Sequence, residues 1–519
     1  MQTTDSPANA KRLLWAGFTA ILAAGVGFAL RNGMLGAWAA EFEFTATQLG
    51  VISGAGFSGF CFGIIIGGLV VDKLGYGRLV VLALLGHIIS AVVALAATDA
   101  SNAYTCLYWG AFIFAYANGT LEAVANPLVA TCFPSNRTHY LNILHASWPL
   151  GMIVGAGASY LIGSESMLGL SWRWQMAFYL VPTAIYAVMF LGQTFPKSEA
   201  AAKGASFAEM FKDVGLLGAA VACTLVSIFL GDVTGHPNLG WAIGGAGLVA
   251  VGIITRFSPG SFLLFVLFLT HALVGSVELG TDGWIENITG NLFSQTEGKT
   301  LFIWSCVIMF GLRFSAHFIE SRLRLSPLGI LLASSLLAFV GLRLASGMDT
   351  FAAALLAIGI YAVGKTFFWP TMLAIVGDRF PRSGAVAMSI IGGIGMLSAG
   401  LVGGPGLGFA KDRFTAETIQ ATAPAVYADN KAPAPSTFLF LDPVTAVDGG
   451  KLEKAKKAVA AGNASADQKA LADASVSGDR QTLRVDSYIP LTMAGIYLLL
   501  LLYFRSIGGY RPLRIEEQS

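Results

Sequence analysis

Fourteen separate runs of apolar residues, each close to the length of a membrane helix, divide the chain. A helix needs roughly 20 apolar residues to cross the hydrocarbon core of a bilayer. The runs lie near 13–38, 46–71, 79–98, 104–131, 139–163, 174–195, 214–231, 239–256, 260–281, 300–318, 326–346, 351–377, 384–410 and 488–504. This pattern predicts an all-α polytopic membrane protein with both ends of every run near an aqueous phase.

Few charged residues interrupt these runs. Charged residues make up 12% of the 519 positions, against about 25% in an average soluble domain. With a mean hydropathy of +0.67, the chain cannot surround itself with a polar surface, which excludes soluble enzymes and nucleic-acid-binding proteins. The net charge of +2 gives no reason to expect a nucleic acid partner. The expected surroundings are a lipid bilayer.

The sequence contains no pattern typical of a catalytic or metal centre. All five cysteines lie in or at the ends of apolar runs, and we expect them to pack as small side chains without a disulfide or metal framework. Metalloprotease and nucleophile-elbow patterns do not occur in the sequence. We therefore expect no enzymatic activity, no cofactor and no metal.

The positively charged residues indicate how the runs are oriented. If the amino terminus is cytoplasmic, sixteen Lys and Arg fall in inner segments, whereas the short outer loops hold only Arg173 and Lys299, with Arg343 at a helix end. Lys and Arg concentrate in the cytoplasmic loops of membrane proteins. This bias predicts that both termini are cytoplasmic, and we expect the protein in the plasma (inner) membrane.

The two shorter runs, 214–231 and 239–256, are expected to cross the membrane as a pair. Lys212 precedes them and Arg256 follows them. If only one run crossed, every later loop would change sides and the charge bias would fail. Because both crossing or neither crossing preserves the bias, we favour both, which gives fourteen spans.

Residues 411–487 differ in composition from the rest of the chain. They are polar and rich in Ala, Asp, Lys and Ser. Their position between the last two runs places them outside, as a solvated loop or a small cap. Residues 451–474 are expected to be helical but without a strong apolar stripe.

The loop after the second run carries a recognisable set of residues, Gly68, Asp72, Lys73, Gly75 and Arg78. A small residue lets two helices approach closely, the aspartate can cap a helix or pair with a cation, and the glycines permit a tight turn. This spacing resembles the signature loop of the major facilitator superfamily, which lies between its second and third helices. A degenerate echo occupies the matching place in the second half, at residues 320–324.

The resemblance implies two six-helix halves with a substrate path between them. The implied organisation is a first half at 1–196, a linker with the extra helix pair at 197–259, a second half at 260–410 and 488–505, an external loop at 411–487 and a cytoplasmic tail at 506–519.

The fourth run carries the most informative polar residues. Glu122 and Asn126 are four residues apart and therefore share one helical face. A carboxyl group in a membrane helix is costly and normally faces a partner or a water-filled path. Glu122 is therefore either part of a structural ion pair or a group that binds substrate or a proton.

This run resembles the fourth helix of the fucose/galactose/glucose–proton symporter family, in which Leu-Glu is followed by small residues and Asn-Pro. Further matches are Leu141-Asn142 at the fifth run, and Phe44-Thr45 with Gln48 through Gly50 at the second. In that family, the fourth-helix Glu and a first-helix Asp are tied to proton coupling and sugar binding. Glu122 matches the former, whereas Asn32 takes the place of the acid and Arg31 stands beside it.

Two basic side chains of the first half have alternative roles. Arg31 either pairs with Glu122 as a structural ion pair, or clamps an anionic or polyhydroxy substrate. His145 either lines the substrate path or packs within its helix.

In the second half, Glu278 and Asp282 are four residues apart on one face. Two such acids repel, so that one tends to take up a proton or the two share a cation. That suits a proton or sodium site, although acids at an outer helix end could simply face water. Lys365 lies mid-run beside Trp369 and is expected either to face the cavity or to pair with Glu278 or Glu122.

Arg313 is expected nearer the inner face, within the charge network of the inner loops.

Sugars present flat C–H faces that pack on aromatic rings. The candidates for such contacts are Trp148, Trp284, Trp304 and Trp369.

These observations favour a secondary active transporter that moves a small polar solute, in particular a sugar, by alternating access with proton or sodium coupling. The predicted site consists of Glu122, Asn126, Asn32, Arg31, Asn142, His145, Glu278, Asp282, Lys365 and Trp369. An organic-anion transporter of the same fold is the alternative that Arg31 and Lys365 motivate. A non-transporting sensor or scaffold that uses residues 411–487 is a third hypothesis.

Overall fold

A computed structural model describes residues 7–42, 46–162, 168–197, 206–432 and 435–514. In these ranges the chain is mostly helical, with one two-stranded hairpin. Among the described residues, ten helices are long and apolar enough to cross a membrane, or eleven if the bent pair Thr296–Arg313 and Ala316–Arg322 counts as one span. A mostly helical membrane fold is confirmed, whereas the count of fourteen spans stays a prediction.

The first seven helices of the described chain pack mainly among themselves and are called the N-terminal bundle. They are α1 (Ala10–Phe42), α2 (Ala46–Leu74), α3 (Tyr76–Leu95), α4 (Ala100–Cys132), α5 (Arg137–Ile162), α6 (Trp172–Phe178) and α7 (Leu180–Phe190). α2 and α3 both pack along α4, and α1 packs along α5. The sixth predicted run is split at Tyr179, because Pro182 has no N–H to bond the carbonyl of Phe178.

Three helices link this bundle to the second one. They are α8 (Phe207–Lys212), α9 (Gly215–Thr234) and α10 (Pro237–Ile254). The N–H groups of Leu216 and Leu217 donate to the carbonyls of Ser258 and Pro259 at 2.9 and 3.0 Å. The pair α9–α10 therefore starts and ends on the same side, as the charge pattern requires. α9 packs on the second bundle, whereas only 17% of α10 is buried, which makes α10 the outermost helix of this pair.

The second group of helices, together with the last helix of the chain, is called the C-terminal bundle. Its members before the polar segment are α11 (Phe262–Gly275), α12 (Thr281–Leu292), α13 (Gln295–Arg313), α14 (Ala316–Arg322), α15 (Pro327–Ala345), α16 (Phe351–Lys365), α17 (Phe368–Arg379), α18 (Gly384–Ser398) and α19 (Gly404–Thr422). Single π-helical turns join α11 to α12 and α18 to α19, at Ser276–Gly280 and Ala399–Gly403. The two turns pack directly together, since a Cβ on Gly280 would lie 2.7 Å from the Cα of Gly403. Gly280 and Gly403 therefore allow the two turns to approach closely.

The polar segment 411–487 is a folded cap and not an open loop. After α19 it contains α20 (Pro424–Asp429), the antiparallel strands β1 (Ser436–Phe438) and β2 (Leu441–Val444), α21 (Gly449–Ala460) and α22 (Ala466–Asp486), and α23 (Tyr488–Ser506) returns through the bundle. α22 packs along α19, and the cap encloses an apolar core of its own, formed by Ala416, Ile419, Tyr427, Val447, Ala455, Leu471 and Ala474. The helix predicted over 451–474 is interrupted, because Gly462 adopts a φ of 73° and Ser465 caps the start of α22.

Contacts between helix ends define two faces of the molecule. Asn9 Nδ2 donates to the carbonyl of Thr194 at 3.0 Å, so α1 begins close to the segment that follows α7. The N–H of Leu513 donates to the carbonyl of Asp378 near the end of α17, at 2.8 Å. α1 runs parallel to α5, since Gly17 faces Leu144 and Gly155 faces Val26, and Arg137 at the start of α5 pairs with Asp378. Both described ends of the chain therefore lie on one side, called the terminal face, and the cap lies on the other, called the cap face.

Candidate functional site

Glu122 lies inside the molecule, where α4 of the N-terminal bundle meets the C-terminal bundle. It is ten residues, or about 15 Å of helix, from the end of α4 and is 4% exposed. Its Oε1 accepts hydrogen bonds from Asn126 Nδ2 at 3.2 Å and from Trp369 Nε1 of α17 at 3.1 Å. No Lys, Arg or His among the described residues forms an ion pair with this carboxylate.

Two polar side chains of α5 extend this contact. His145 Nε2 and Asn126 Oδ1 lie 2.8 Å apart, and because the amide nitrogen of Asn126 already donates to Glu122, the histidine nitrogen is the donor here. Asn142 Nδ2 donates to its own helix and to Thr371 Oγ1 of α17 at 3.4 Å. The predicted residues of α4 and α5 are thus brought together at the boundary between the bundles.

Arg313, the last residue of α13, is 2% exposed and joins three parts of the site. Its Nη2 pairs with Glu278 Oε1 at 3.1 Å, its Nε donates to the Thr366 carbonyl at 3.0 Å, and its Nη1 donates to the His145 carbonyl. The expectation that Arg313 belongs to the charge network of the inner loops is wrong. A fully desolvated guanidinium needs acceptors in several directions, and the site supplies them.

Two prolines explain why these carbonyls are available. Pro149 in α5 and Pro370 in α17 have no N–H, so the carbonyls four residues earlier, those of His145 and Thr366, lose their helical donor. Arg313 donates to both carbonyls, one in each bundle. The prolines therefore leave one carbonyl inside α5 and one at the junction of α16 and α17 as acceptors for one arginine.

Of the two acids of the second half, Glu278 lies in the π turn and Asp282 follows it, and they pair with different bases. Glu278, in the π turn, is 3% exposed and binds Arg313, while its Oε2 meets no donor among the described residues. Asp282, at the start of α12, pairs with Lys365, whose side chain is fully buried. Lys365 Nζ also lies 5.2 Å from the ring centre of Tyr361.

These pairings correct two alternatives raised by the sequence. Lys365 pairs with neither Glu278 nor Glu122, and neither acid stands at a water-facing helix end. The physical reason is that each carboxylate pairs with a base on a different helix, Glu278 with Arg313 of α13 and Asp282 with Lys365 of α16.

The sequence analysis missed His271 of α11. Its ring lies 4.6 Å from the ring of Trp369, is fully buried, and contacts no donor or acceptor in the described part of the chain through either nitrogen. Its position could have been predicted from the sequence, because His271 precedes Glu278 by seven residues and so lies on the same helical face.

Arg31 does not pair with Glu122. It is 9% exposed and lies within the N-terminal bundle, where its Nη2 donates to Ser90 Oγ at 3.2 Å and its guanidinium covers the ring of Phe114 at 3.7 Å. Its Nη1 has no partner among the described residues. The side chain of Asn32 lies outside the described residues, as does the Phe44-Thr45 match.

Three of the four candidate tryptophans lie elsewhere. Trp284 Nε1 donates to the carbonyl of Gly404 at 2.9 Å, and Trp304 Nε1 donates to the carbonyl of Leu355 at 3.0 Å on the outside of the bundle, where this tryptophan is 39% exposed. Trp148 packs with Phe28 in the N-terminal bundle. Only Trp369 reaches the central polar residues.

The loop between α2 and α3 has the geometry that its residues suggested. Gly75 adopts a φ of 84°, which permits the turn, and a Cβ on Gly68 would collide with Ser389 of α18. Asp72 and Lys73 lie in the last turn of α2, and Arg78 is exposed on the terminal face. Gly68, which lies in α2 itself, therefore lets this helix pack closely against the C-terminal bundle.

A second contact closes the terminal face between the bundles. Arg137, at the start of α5, pairs with Asp378 of α17 at 3.2 Å and donates to the carbonyl of Gly377 at 2.9 Å. Tyr510 of the carboxyl-terminal tail donates to the other oxygen of Asp378 at 2.9 Å. In this structure the bundles are in contact at the terminal face.

The family model for the Major Facilitator Superfamily matches residues 17–404. The chain belongs to this superfamily. A trichothecene efflux pump of Fusarium sporotrichioides is 26% identical over 209 residues, which are 40% of this chain and 33% of the pump. The match therefore spans only about one third of the pump's length.

Solved structures of the superfamily share the fold over nearly the whole chain. FucP in the outward conformation has a TM-score of 0.58 at 16% identity, over 93% of this chain and 98% of that chain, and FucP of E. coli is described as a fucose:proton symporter. The human organic anion transporter MFSD10 has a TM-score of 0.58 at 14% identity, over 95% and 100%. The proton:xylose symporter XylE, bound to 6-bromo-6-deoxy-D-glucose, has a TM-score of 0.59 at 13% identity, over 96% and 96%. At these identities the likeness shows the fold alone.

Members of the Major Facilitator Superfamily are transporters that bind small solutes within a lipid membrane, and many couple transport to ions.

The described residues contain no group of three His, Cys, Asp or Glu that could hold a metal ion.

Proposed function

We propose that the protein is a secondary transporter that moves a small, uncharged, hydroxyl-rich solute such as a monosaccharide by alternating access, with Glu122 as the group that takes up and releases a coupling proton. The observation that carries the proposal is the contact from Trp369 to Glu122, because it joins the two bundles through a hydrogen bond to a carboxylate that forms no ion pair among the described residues. Alternating access requires such a contact to break and re-form as the bundles rock against each other.

The polar atoms around Trp369 suit a hydroxylated solute. Glu278 Oε2 and Asn142 Oδ1 are buried acceptors that meet no donor among the described residues, and His271 offers one ring nitrogen as a donor and the other as an acceptor. The indole ring of Trp369, which is buried in this structure, provides an apolar surface for the C–H face of a pyranose once the bundles separate. The sugar symporters among the structural neighbours are in keeping with this solute class.

The charges favour a proton over sodium as the coupling ion. The three acids of the site, Glu122, Glu278 and Asp282, face two bases, Arg313 and Lys365, and both bases are committed to the last two acids. Glu122 is the excess acid. Its partners are the neutral donors Asn126 and Trp369, so a proton can neutralise it, whereas sodium would need several oxygen ligands around it.

An organic-anion transporter is the second candidate. Arg31 favours it, since this buried guanidinium has no carboxylate partner among the described residues, and MFSD10 is described as an organic anion transporter. Arg31 lies inside the N-terminal bundle and not at the boundary between the bundles. We therefore place the hydroxylated solute first.

The finer architecture is part of the same proposal. We place residues 1–196 in one half and 260–410 with 488–505 in the other, with α9 and α10 as an extra pair that raises the number of spans to fourteen. From the Lys and Arg bias we expect the terminal face on the cytoplasmic side of the plasma membrane and the cap on the outer side.

The test is solute-driven proton movement in proteoliposomes that contain the purified full-length protein, measured with an internal pH dye across a panel of monosaccharides and organic acids. We expect at least one sugar to acidify or alkalinise the lumen, and Glu122→Gln to abolish that signal while leaving sugar exchange intact. Asp349→Asn is the matched control, because Asp349 is an exposed carboxylate at the cap face.

Three outcomes oppose the proposal. Transport of organic acids alone would favour the second candidate, and transport of sugars without any proton signal would remove the coupling role of Glu122. If no solute moves, and Glu122→Gln changes nothing while removal of the cap abolishes a cellular phenotype, the protein is a sensor or scaffold.

A further inference from the structure

Asp486 is a buried acid at the junction between the cap and the membrane helices of the C-terminal bundle. It is the last residue of α22 and is 2% exposed. Its Oδ2 accepts a hydrogen bond from Thr281 Oγ1 of α12 at 2.7 Å. Its Oδ1 is buried and meets no donor in the described part of the chain.

The bases on the neighbouring helices are committed to other acids. Lys365 of α16 pairs with Asp282, and Lys411 of α19 pairs with Asp479. None of these bases, nor any other Lys, Arg or His among the described residues, forms an ion pair with Asp486.

Three further charged groups lie on these helices. Arg480 of α22 pairs with Asp349, Arg484 is exposed, and Arg343 of α15 forms no ion pair with Asp486. Glu278 and Tyr361 are an acid and a phenol, and the phenol donates to the carbonyl of Val277 at 2.6 Å. Among the described residues, no base therefore pairs with Asp486.

We propose that Asp486 is a second proton-binding site, separate from Glu122. A buried carboxylate held by one neutral hydroxyl pays a desolvation cost of several kcal/mol if it is ionised. A proton removes the charge and needs no cavity, whereas any larger ligand would need space that an enclosed Oδ1 does not have. With the proton on Oδ1, the hydrogen bond from Thr281 falls on Oδ2, which is then the carbonyl oxygen.

The position of this site connects the cap to the Lys365–Asp282 pair. Thr281, which binds Asp486, directly precedes Asp282 in the chain. Release of the proton from Oδ1 would leave a buried carboxylate bound to the hydroxyl of the residue that directly precedes Asp282. This inference goes beyond the proposed transport function and does not depend on the identity of the solute.

Infrared difference spectroscopy of the purified full-length protein tests the proposal without a solute. At neutral pH we expect a carboxylic acid C=O band that shifts in D2O and is lost in Asp486→Asn. Thr281→Val should move the same band to higher wavenumber, because its carbonyl loses a hydrogen bond. Asp349→Asn, which alters an exposed carboxylate paired with Arg480, should leave this spectral region unchanged.

An unchanged carboxylic acid region in Asp486→Asn would overturn the proposal. If that variant does not fold, Thr281→Val decides, since a folded Thr281→Val protein with no band shift overturns it equally. Glu122→Gln separates the two sites: a band lost only in Glu122→Gln would remove the role of Asp486 and leave the proposed function standing.

Discussion

Arg313 donates through Nε to the carbonyl of Thr366 at 3.0 Å, and that carbonyl is free because Pro370 cannot bond it. The same guanidinium binds the carbonyl that Pro149 frees in the other bundle, together with the carboxylate of Glu278. One side chain thus binds both bundles at the level of Glu122. It can do so because its donors point in three directions.

Arg313→Lys should therefore not replace the arginine. A lysine has one nitrogen on a flexible stem and cannot reach three acceptors in different directions. We expect the variant to lose most transport, and Arg313→Leu to cost about 3–5 kcal/mol of stability, because it leaves Glu278 buried and unpaired. Thermal unfolding in detergent and uptake in proteoliposomes measure both effects. A Lys variant with normal transport would show that charge alone is sufficient at this position.

Trp369→Phe tests the hydrogen bond to Glu122 without removing the ring that packs on His271. A hydrogen bond to a charged group contributes about 1.5–3 kcal/mol, so transport efficiency should fall about 10- to 100-fold. Trp304→Phe is the matched control, since its Nε1 donates to a backbone carbonyl on the outside of the bundle. Equal losses in the two variants would mean that the Glu122 contact has no special role.

Many of the central polar residues could be predicted from the sequence, but Arg313 and His271 were not predicted to be central, and neither was the pairing predicted. Glu122, Asn126, Asn142, His145, Glu278, Asp282, Lys365 and Trp369 were all predicted, because polar groups inside apolar runs are rare and costly. The pairing depends on helix rotation and on the π turn at Ser276–Gly280, which separates Glu278 from Asp282. A π turn inserts one residue into a helix, and the apolar sequence around it carries no mark of that insertion.

Arg313 and Arg31 show the same limit. Both stand in or at the end of apolar runs. The sequence suggested a place in the inner-loop charge network for Arg313, and either a pair with Glu122 or a clamp on the substrate for Arg31. The deciding factors are the freed carbonyls around Arg313 and the aromatic ring of Phe114 beneath Arg31. The apolar core of the cap was not predicted for a related reason. It is formed by alanines and single large residues that are scattered through the sequence.

Lys365 and Asp282 should behave as one unit in a double-mutant cycle. Lys365→Met leaves the acid unpaired and Asp282→Asn leaves the amine unpaired, so each single variant should be strongly destabilised. The double variant should be less destabilised than the sum, with an interaction energy in the range of about 0.5–3 kcal/mol. Thermal unfolding of the four proteins gives this value, and strict additivity would contradict the pair.

Gly68 and Gly54 of α2 form a matched pair for testing the contact between the bundles. A Cβ on Gly68 would collide with Ser389 and lie 3.2 Å from the carbonyl of Ala385, whereas a Cβ on Gly54 would meet nothing within 4 Å. We expect Gly68→Ala to reduce transport strongly while the protein still inserts into membranes, and Gly54→Ala to leave transport unchanged. Uptake normalised to the amount of protein in the membrane separates the two, and equal effects would argue against a packing role for Gly68.

Asp378→Asn should weaken the closure of the terminal face. The substitution removes the charge that Arg137 pairs with at 3.2 Å, while Tyr510 can still donate to the amide oxygen. Spin labels at Asn136 and Ser321, two exposed positions on this face in different bundles, report the separation after the native cysteines have been replaced. We expect a larger population of long distances in Asp378→Asn than in the labelled parent protein, and a smaller change in Tyr510→Phe, which leaves the ion pair intact. Identical distance distributions in all three proteins would mean that the Arg137–Asp378 pair does not hold the bundles together, and that the contact of Gly68 with α18 is sufficient to close this face.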